Sequence, residues 1–525
     1  MMTPAFTHSN IKEMVPTFIR IASTLKGVIG WITYKIFIWP YYVSPLRKIP
    51  GPPSESPIFG NIKSLVKSVD STEPQLQWVR KYGNLAIALL GNGLAFAEGD
   101  DHKRQRKMMN PAFSHSNIKE MVPTFIRVTS TLKGLIKNEI NQGNSNINLT
   151  PYISKTTLDI IGSVGFSYEF NSLTSSNEIA DSVFNAPLNT LRVAVILIAN
   201  YIPFIKDILI GTNVEFKNAC AVISRVSKKL VEEKYKEAEN GELKNKDLLS
   251  LLINTNKILP DEEIMTYEEL KNQAIKKIFI YLFTVRQISM KFPVFVGCYG
   301  NVVQIRQVSI IYTKVSIVET IPLRPIMTFL VTGHETTSAT TCWALYLLAQ
   351  HPHEQDLLRE ELVKVIPDKS NFNLSYDEIN SLEYLNCVIK ETLRMCTPVS
   401  IISRTNLKDE VFGKYFIPKN SEIFIGISAF QKSSEIWGPT ADNFDPKRWL
   451  NPSLNVTNLN YSPFLGGPRG CIGNKLALAE MKIMLGMLIR NFVFQPIEGF
   501  QTRKKPFPLS KPDPYIGLAI SIVES

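Results

Sequence analysis

Phe464-Leu465-Gly466-Gly467-Pro468-Arg469-Gly470-Cys471-Ile472-Gly473 places one cysteine in a glycine-rich loop just ahead of a long amphipathic run that ends near Asn491. Gly and Pro mark the loop, and the three- and four-residue apolar spacing after it predicts a helix from about Ile472. A thiol at that place meets the unpaired N–H groups and partial positive charge of the helix N-terminus, which favour the ionised thiolate. Gly467 and Gly473 carry no side chain to keep a flat ligand off the backbone, and Arg469 can pair with a carboxylate on such a ligand. A buried structural cysteine needs none of this ordering. A thiolate ligand to haem iron does, and it pushes electron density onto bound oxygen so that the O–O bond cleaves.

Three upstream segments carry further chemistry-bearing residues. Glu391-Thr392-Leu393-Arg394 is an acid and a base at helical i,i+3 spacing, worth a few tenths of a kcal/mol by itself. Phe444-Asp445-Pro446-Lys447-Arg448-Trp449 supplies a second arginine. Thr332-Gly333-His334-Glu335-Thr336-Thr337 lies in a helical pattern that resumes at Ile326. There Gly333 and the Thr336 hydroxyl are expected to loosen the helical ladder, by removing a side chain and by competing for a backbone carbonyl. His334-Glu335 is not a zinc motif, because Ser338 stands where the second histidine of H-E-x-x-H belongs. In this order the segments resemble the cytochrome P-450 family of haem-thiolate monooxygenases. The cysteine loop matches F-x-x-G-x-R-x-C-x-G, Glu391 to Arg394 the E-x-x-R of the K helix, Phe444 to Trp449 the segment whose arginine closes an ion triad with it, and Thr332 to Thr337 the A-G-x-D/E-T-T of the I helix.

The resemblance implies a mainly α fold with a minor β-sheet region, and haem b bound with Cys471 as the thiolate ligand and Phe464, Arg469 and Gly473 around it. Glu391, Arg394 and Arg448 would hold the fold around the haem, and Glu335 and Thr336 would act as acid and hydroxyl in proton delivery. His102 and Arg106 resemble the W-x-x-x-R of the C helix, with histidine where tryptophan is frequent, and Arg404 matches an arginine in the strand after the K helix. These bases would partner the haem propionates, which are costly inside a folded domain unless paired. One oxygen atom of O2 would enter an apolar organic substrate such as a lipid, sterol or xenobiotic, and the other would leave as water. Pocket candidates are Val399 to Ile402, Val193 to Ile205 and Phe329. A haem-thiolate isomerase or dehydratase is disfavoured by the presence of both Thr336 and Glu335.

No nucleotide fingerprint supplies electrons within the chain, for Gly91-Asn92-Gly93-Leu94-Ala95-Phe96 lacks the third glycine and the strand–helix context. The expected donors are a separate NADPH-linked cytochrome reductase and cytochrome b5. The 525 residues are 44% hydrophobic and 20% charged, enough for a large core and inconsistent with disorder. Six cysteines without a CxxC pair or regular spacing exclude a disulfide scaffold and a zinc ribbon. The formal charge of +11 would suggest a polyanionic partner, yet residues 1–48 carry +5 of it, residues 274–325 carry +6, and the remainder is neutral. Nucleic acid is therefore not an expected partner.

Residues 1–48 hold a near-verbatim copy, since Met1 to Ile29 reads against Met108 to Ile136 with five differences. Solenoid repeats recur more often and diverge more, so this single copy reads as a recent duplication or an assembly error in the gene model. Val28 to Val43 is apolar and aromatic but shorter than the roughly 20 residues of a spanning helix, and it is flanked by Lys26, Arg47 and Lys48. It reads as a membrane anchor or interfacial helix ahead of the stiff Ile49-Pro50-Gly51-Pro52-Pro53 linker, without a cleavable signal site. The expected location is the endoplasmic reticulum membrane, with residues 49–525 forming the catalytic domain on the cytosolic side. Two departures mark that domain: a few residues replace the first strands, B helix and B–C loop near 85–91, and the Val/Ile-rich segment 274–325 interrupts the approach to the I helix. They motivate an alternative expectation, a catalytically impaired, membrane-attached haem-binding product of an altered gene.

Overall fold

The computed structural model describes residues 110–175, most of 229–243, 247–257, 326–457, 460–505 and 509–524, with isolated positions elsewhere that include Arg106. The chain divides into two units. The larger takes residues 69–72, 92–401 and 426–525, and the smaller takes 1–68, 73–91 and 402–425. The larger unit holds helices α1 (His115–Asn141), α2 (Leu149–Phe166), α3 (Leu248–Lys257), α4 (Ile326–Gln350), α5 (Pro352–Val365), α6 (Tyr376–Ser381), α7 (Glu383–Met395), α8 (Ile427–Gln431), α9 (Ser434–Trp437) and α10 (Asn474–Asn491). Its strands are β1 (Asn146–Asn148), β6 (Phe492–Pro496), β7 (Arg503–Lys505), β8 (Lys511–Asp513) and β9 (Gly517–Ile522); β2 (Ile401–Thr405), β3 (Glu410–Phe412), β4 (Tyr415–Ile417) and β5 (Glu422–Gly426) fall almost wholly in the smaller. The fold is mainly helical with small sheets, as the sequence predicts.

α1 starts where the Ser114 hydroxyl accepts the Asn117 amide, and it buries Ile118, Met121, Val122, Phe125, Val128, Leu132 and Ile136, an i, i+3, i+4 stripe. The second copy of the duplicated sequence thus forms part of the core, while the first lies outside the described residues. α10 is buried all round, from Met481 through Ile489, which places it at the centre of the core. Each such Leu, Ile or Met contributes about 1.5–3 kcal/mol by leaving water. α2 lies along α4 so closely that a Cβ on Gly333 would come within 3.1 Å of Ile161 Cγ1, so any larger residue there must push the Ile161 side chain aside. Next to it the Thr157 hydroxyl donates to the His334 carbonyl at 3.2 Å.

β1, β9 and β6 form an antiparallel sheet in which Ile147 faces Leu518 and Phe494 faces Ile520. Buried Gln355 of α5 joins this sheet to α4: its Nε2 donates to the carbonyls of Leu348 and Phe494, and its Oε1 accepts the Phe494 amide. The β7–β8 hairpin pairs Lys505 with Lys511. In the smaller unit β2 pairs with β5 and β3 with β4. No helix among the described residues is long and apolar enough to cross a membrane; most of the Val28 to Val43 segment lies outside those residues.

Candidate active site

The cysteine loop is shaped by its own backbone. Leu465 N donates to Ser462 O at 3.0 Å, Gly470 N to Gly467 O at 3.0 Å, and Cys471 N to Phe464 O at 2.7 Å, so residues 464 to 471 close on themselves. The tight path puts Leu465 at φ 62° and Gly467 at φ 67°. Glycine takes that conformation freely, whereas a leucine pays roughly 1–2 kcal/mol for it. The loop is therefore held by its surroundings. Phe464 packs its ring against the core, and Arg106 Nη1 donates to the Gly470 carbonyl at 2.5 Å while its Nε donates to Asn110 Oδ1 at 3.0 Å. Arg106 thus braces the peptide next to Cys471 with one nitrogen and is held by Asn110 through another.

Cys471 is exposed, whereas Cys342, Cys387 and Cys396 are buried. Gly473 is the N-cap of α10, and a Cβ there would meet only Phe113 Cε1, at 3.9 Å. Cys471 thus lies exposed on this loop, just ahead of the N-terminus of α10. No cluster of three His, Cys, Asp or Glu side chains able to hold a metal occurs among the described residues, so Cys471 offers one soft donor rather than a tetrahedral zinc set. A single thiolate fits iron whose other ligands come from a macrocycle. Arg469 ends the 3₁₀ turn Gly467–Arg469 and is half-buried.

Behind the loop lies a closed ionic network. Glu391 and Arg394 of α7 have fully buried side chains; Arg394 Nε donates to Glu391 Oε2 at 2.9 Å and Nη2 to Oε1 at 2.8 Å. Glu391 also accepts Trp449 Nε1 and the Asp445 amide, each at 3.0 Å, and Arg448 Nε stands 3.5 Å from its Oε1. Arg394 Nη1 donates to the carbonyls of Gln431 and Ala441. Arg448 turns its other arms to Thr440 and Trp437. Gln431 carries the network to the cysteine loop, since its Nε2 donates to Leu393 O and its Oε1 accepts the Ser462 amide, both at 3.0 Å. Tyr461 donates to the Lys390 carbonyl at 3.1 Å, and burial together with the Glu391 carboxylate pushes its phenol well above the usual value.

On α4 the Thr337 hydroxyl donates to the Gly333 carbonyl at 2.9 Å, one residue beyond Thr336. The Thr336 carbonyl in turn accepts the Thr340 hydroxyl at 2.9 Å, and Thr337 O accepts Thr341 at 3.0 Å. Such back-bonding by successive hydroxyls weakens the ladder while α4 stays continuous from Ile326 to Gln350. Glu335 pairs with Lys511, whose Nζ lies 2.7 Å from Oε1. Burial opposes the charge on Glu335, but the Lys511 ammonium and His334 outweigh it and hold the carboxyl below its usual range.

The structure brings Cys471, Phe464, Arg469, Gly473 and Arg106 to one loop, and Glu391, Arg394 and Arg448 to one network. Arg404 lies on β2 in the smaller unit. His102, Val193 to Ile205 and residues 274–325 lie outside the described residues, and Phe329 is described only as backbone of α4. Within Val399 to Ile402 the buried Ser400 hydroxyl has no hydrogen-bond partner, nor has that of nearby Thr397. Sequence reasoning missed Gln431 and Lys511, and it gave no role to Trp449, although that residue ends a quoted motif.

A family model described as cytochrome P-450 matches residues 50–280 and 323–518. Cytochrome P-450 monooxygenase 128 of Postia placenta is 31% identical over 563 aligned positions that cover 91% of this chain and 92% of the relative. Cytochrome P-450 monooxygenase 205 of the same fungus is 30% identical, covering 86% and 87%. Ganoderic acid synthetase of Ganoderma lucidum is 25% identical, covering 92% and 93%. The chain belongs to the cytochrome P-450 family and is a monooxygenase of that family, for which haem iron with a thiolate ligand is the implied cofactor.

Proposed function

We propose that this protein is a membrane-attached monooxygenase that places one oxygen atom from O2 into an apolar organic substrate of the lipid, sterol or xenobiotic kind, with electrons from a separate NADPH-linked reductase and cytochrome b5 as a second donor. The observation that carries this reading is the exposed Cys471 thiol on a loop closed by Phe464 and braced by Arg106, ahead of a fully packed helix. Haem bound there would supply oxygen binding and reductive activation. Cys471 would be its ligand, Gly473 would leave room beside it, and His102, Arg106, Arg404 and Arg469 would take its carboxylates. Glu335 and Thr336 would hold and move protons on the face of α4, a task that a positioned acid speeds by roughly 10²–10⁴. Attachment to the endoplasmic reticulum with the catalytic domain in the cytosol is the location we propose, on the strength of the Val28 to Val43 segment and its basic flanks.

The test is the absorption spectrum of the reduced, carbon-monoxide-bound protein. A Soret band shifted far to the red in the wild type and absent in Cys471→Ala is the expected result. An unshifted band or no haem uptake overturns it and favours the catalytically impaired product, a reading supported by the unmatched residues 281–322 directly before α4. NADPH-dependent turnover with an added reductase then tests the source of electrons.

A further inference from the structure

Glu480 is the only acid of α10, and nothing around it neutralises it. It is 3% exposed, and its Oε1 is buried without a hydrogen-bond partner. It stands two helical turns after Gly473 and two before Met487, so the three share one face. That face meets α1 and the turn ahead of it: a Cβ on Gly473 would touch Phe113 at 3.9 Å, and the Ser130 hydroxyl donates to Met487 Sδ at 3.7 Å. Between Phe113 and Ser130 the chain buries Ile118, Met121, Val122 and Phe125, which offer a carboxylate no donor. The same stretch of α1 holds Pro123, whose missing amide interrupts the helical ladder and weakens the helix at this level.

We propose that Glu480 is a pH-sensitive latch between α10 and α1: the neutral acid packs, whereas the carboxylate finds no partner there, forces the helices apart and loosens the cysteine loop that α10 carries. The step is the loss of one proton to solvent, and its driving force is the cost of an unpaired charge in an apolar interior. Burial raises this carboxyl far above its usual range, and no charged group among the described residues offsets it. On the elements packed against α10, Lys119 of α1 pairs with Asp377 of α6, Arg394 of α7 with Glu391, Arg359 of α5 with Asp356 and Glu335 of α4 with Lys511, while β6 carries no charge. On α10 itself Lys482 donates to Asn380 Oδ1, and Arg490 to the carbonyls of Ile366 and Pro367. The folded protein keeps the Glu480 proton over a range in which the unfolded chain has lost it. Stability is therefore complete below the ordinary glutamate value and falls as the pH rises toward the folded one. Lys482 acts in the opposite sense, because burial and Lys390 lower its ammonium to about 8 and the cost of burying it charged is relieved above that value. A change at Glu480 alone cancels the lysine from the comparison.

The test sets wild-type holoprotein beside Glu480→Gln, which keeps the shape and cannot ionise, and Glu480→Met, which carries the same test if the amide does not pack. From urea midpoints between about pH 5 and pH 9, the folding equilibrium of the wild type relative to either variant should fall by up to about tenfold per pH unit, the effect of one proton. In infrared spectra a protonated-carboxyl band should persist in the wild type well above the ordinary glutamate range and be missing from both variants. Haem transfer to excess apomyoglobin should quicken with pH in the wild type more than in the variants. A stability ratio that does not change with pH, a band lost where an ordinary glutamate ionises, or haem transfer equally dependent on pH in all three proteins overturns the proposal. Failure of the wild type to give the red-shifted carbon-monoxide spectrum overturns instead the haem reading, on which the haem-transfer arm alone rests, and the urea and infrared arms still decide the latch.

Discussion

Glu391 and Glu335 both face a base, and the two sites are built in opposite ways. Glu391 is fully buried and accepts from both nitrogen arms of Arg394, from Trp449 and from the Asp445 amide, with Arg448 close by. Glu335 meets Lys511 at 2.7 Å on a half-open surface. A buried charge with every lone pair engaged cannot change partner without leaving another charge uncompensated, so the first site works as a clamp between α7, the Pro446–Leu450 turn and, through Gln431, the cysteine loop. An exposed pair exchanges protein for water at little cost, so the second can open and close. The number of partners and the access of water, rather than the presence of an ion pair, separate structure from moving chemistry.

The comparison breaks most visibly at Arg394. Replacing it by alanine strands the Glu391 carboxylate in the core and frees the carbonyls of Gln431, Ala441 and Asn443. A loss of about 3–5 kcal/mol is expected. It should appear as a large fall in the urea midpoint and as loss of haem from the purified protein; a variant of wild-type stability would show that the network is not a clamp. A smaller cut is Trp449→Phe, which keeps an aromatic ring against Tyr461 and Trp437 but removes the indole donor to Glu391 Oε2. One hydrogen bond to a charged acceptor is worth about 1.5–3 kcal/mol. The expected result is an intermediate drop in the urea midpoint with haem retained, and a null effect would mean that water replaces the indole at that oxygen.

What could be read from sequence follows the range of the interactions. The place of Cys471 before α10 and the start of α4 at Ile326 are local properties, written in glycines, proline and apolar spacing. The Glu391–Arg394 contact is an i,i+3 pair on one helix. Arg448 entered through a motif, and the structure adds why it belongs there, with Glu391 as the counter-ion it shares with Arg394. Lys511 and Glu335 are 176 residues apart, and nothing near Lys511 in the sequence distinguishes it from a solvated lysine. The bond to the Gly333 carbonyl is made by the i+4 residue, Thr337, a hydroxyl to which the sequence reading gave no role of its own. Arg106 entered through its resemblance to W-x-x-x-R, and only the fold brings it to Gly470, 364 residues on.

The smallest effect sharpens the comparison from the exposed side. In the folded protein Glu335 is held below its ordinary range despite burial, by Lys511 and His334. An acid whose folded value is depressed adds stability above its unfolded value and loses it as the pH falls through the folded one. Glu335→Gln removes that contribution, so it should cost about 0.2–1 kcal/mol at pH 7, the range of exposed pairs. The gap to the wild type should close on acidification, beginning near pH 4 where glutamate ordinarily protonates. Urea midpoints for the two proteins between pH 3 and 7 measure it. A gap of several kcal/mol would mean that Glu335 is a second clamp like Glu391 and too tightly held to shuttle a proton; a small gap that stays constant with pH would mean that the ammonium does not hold the carboxyl in solution.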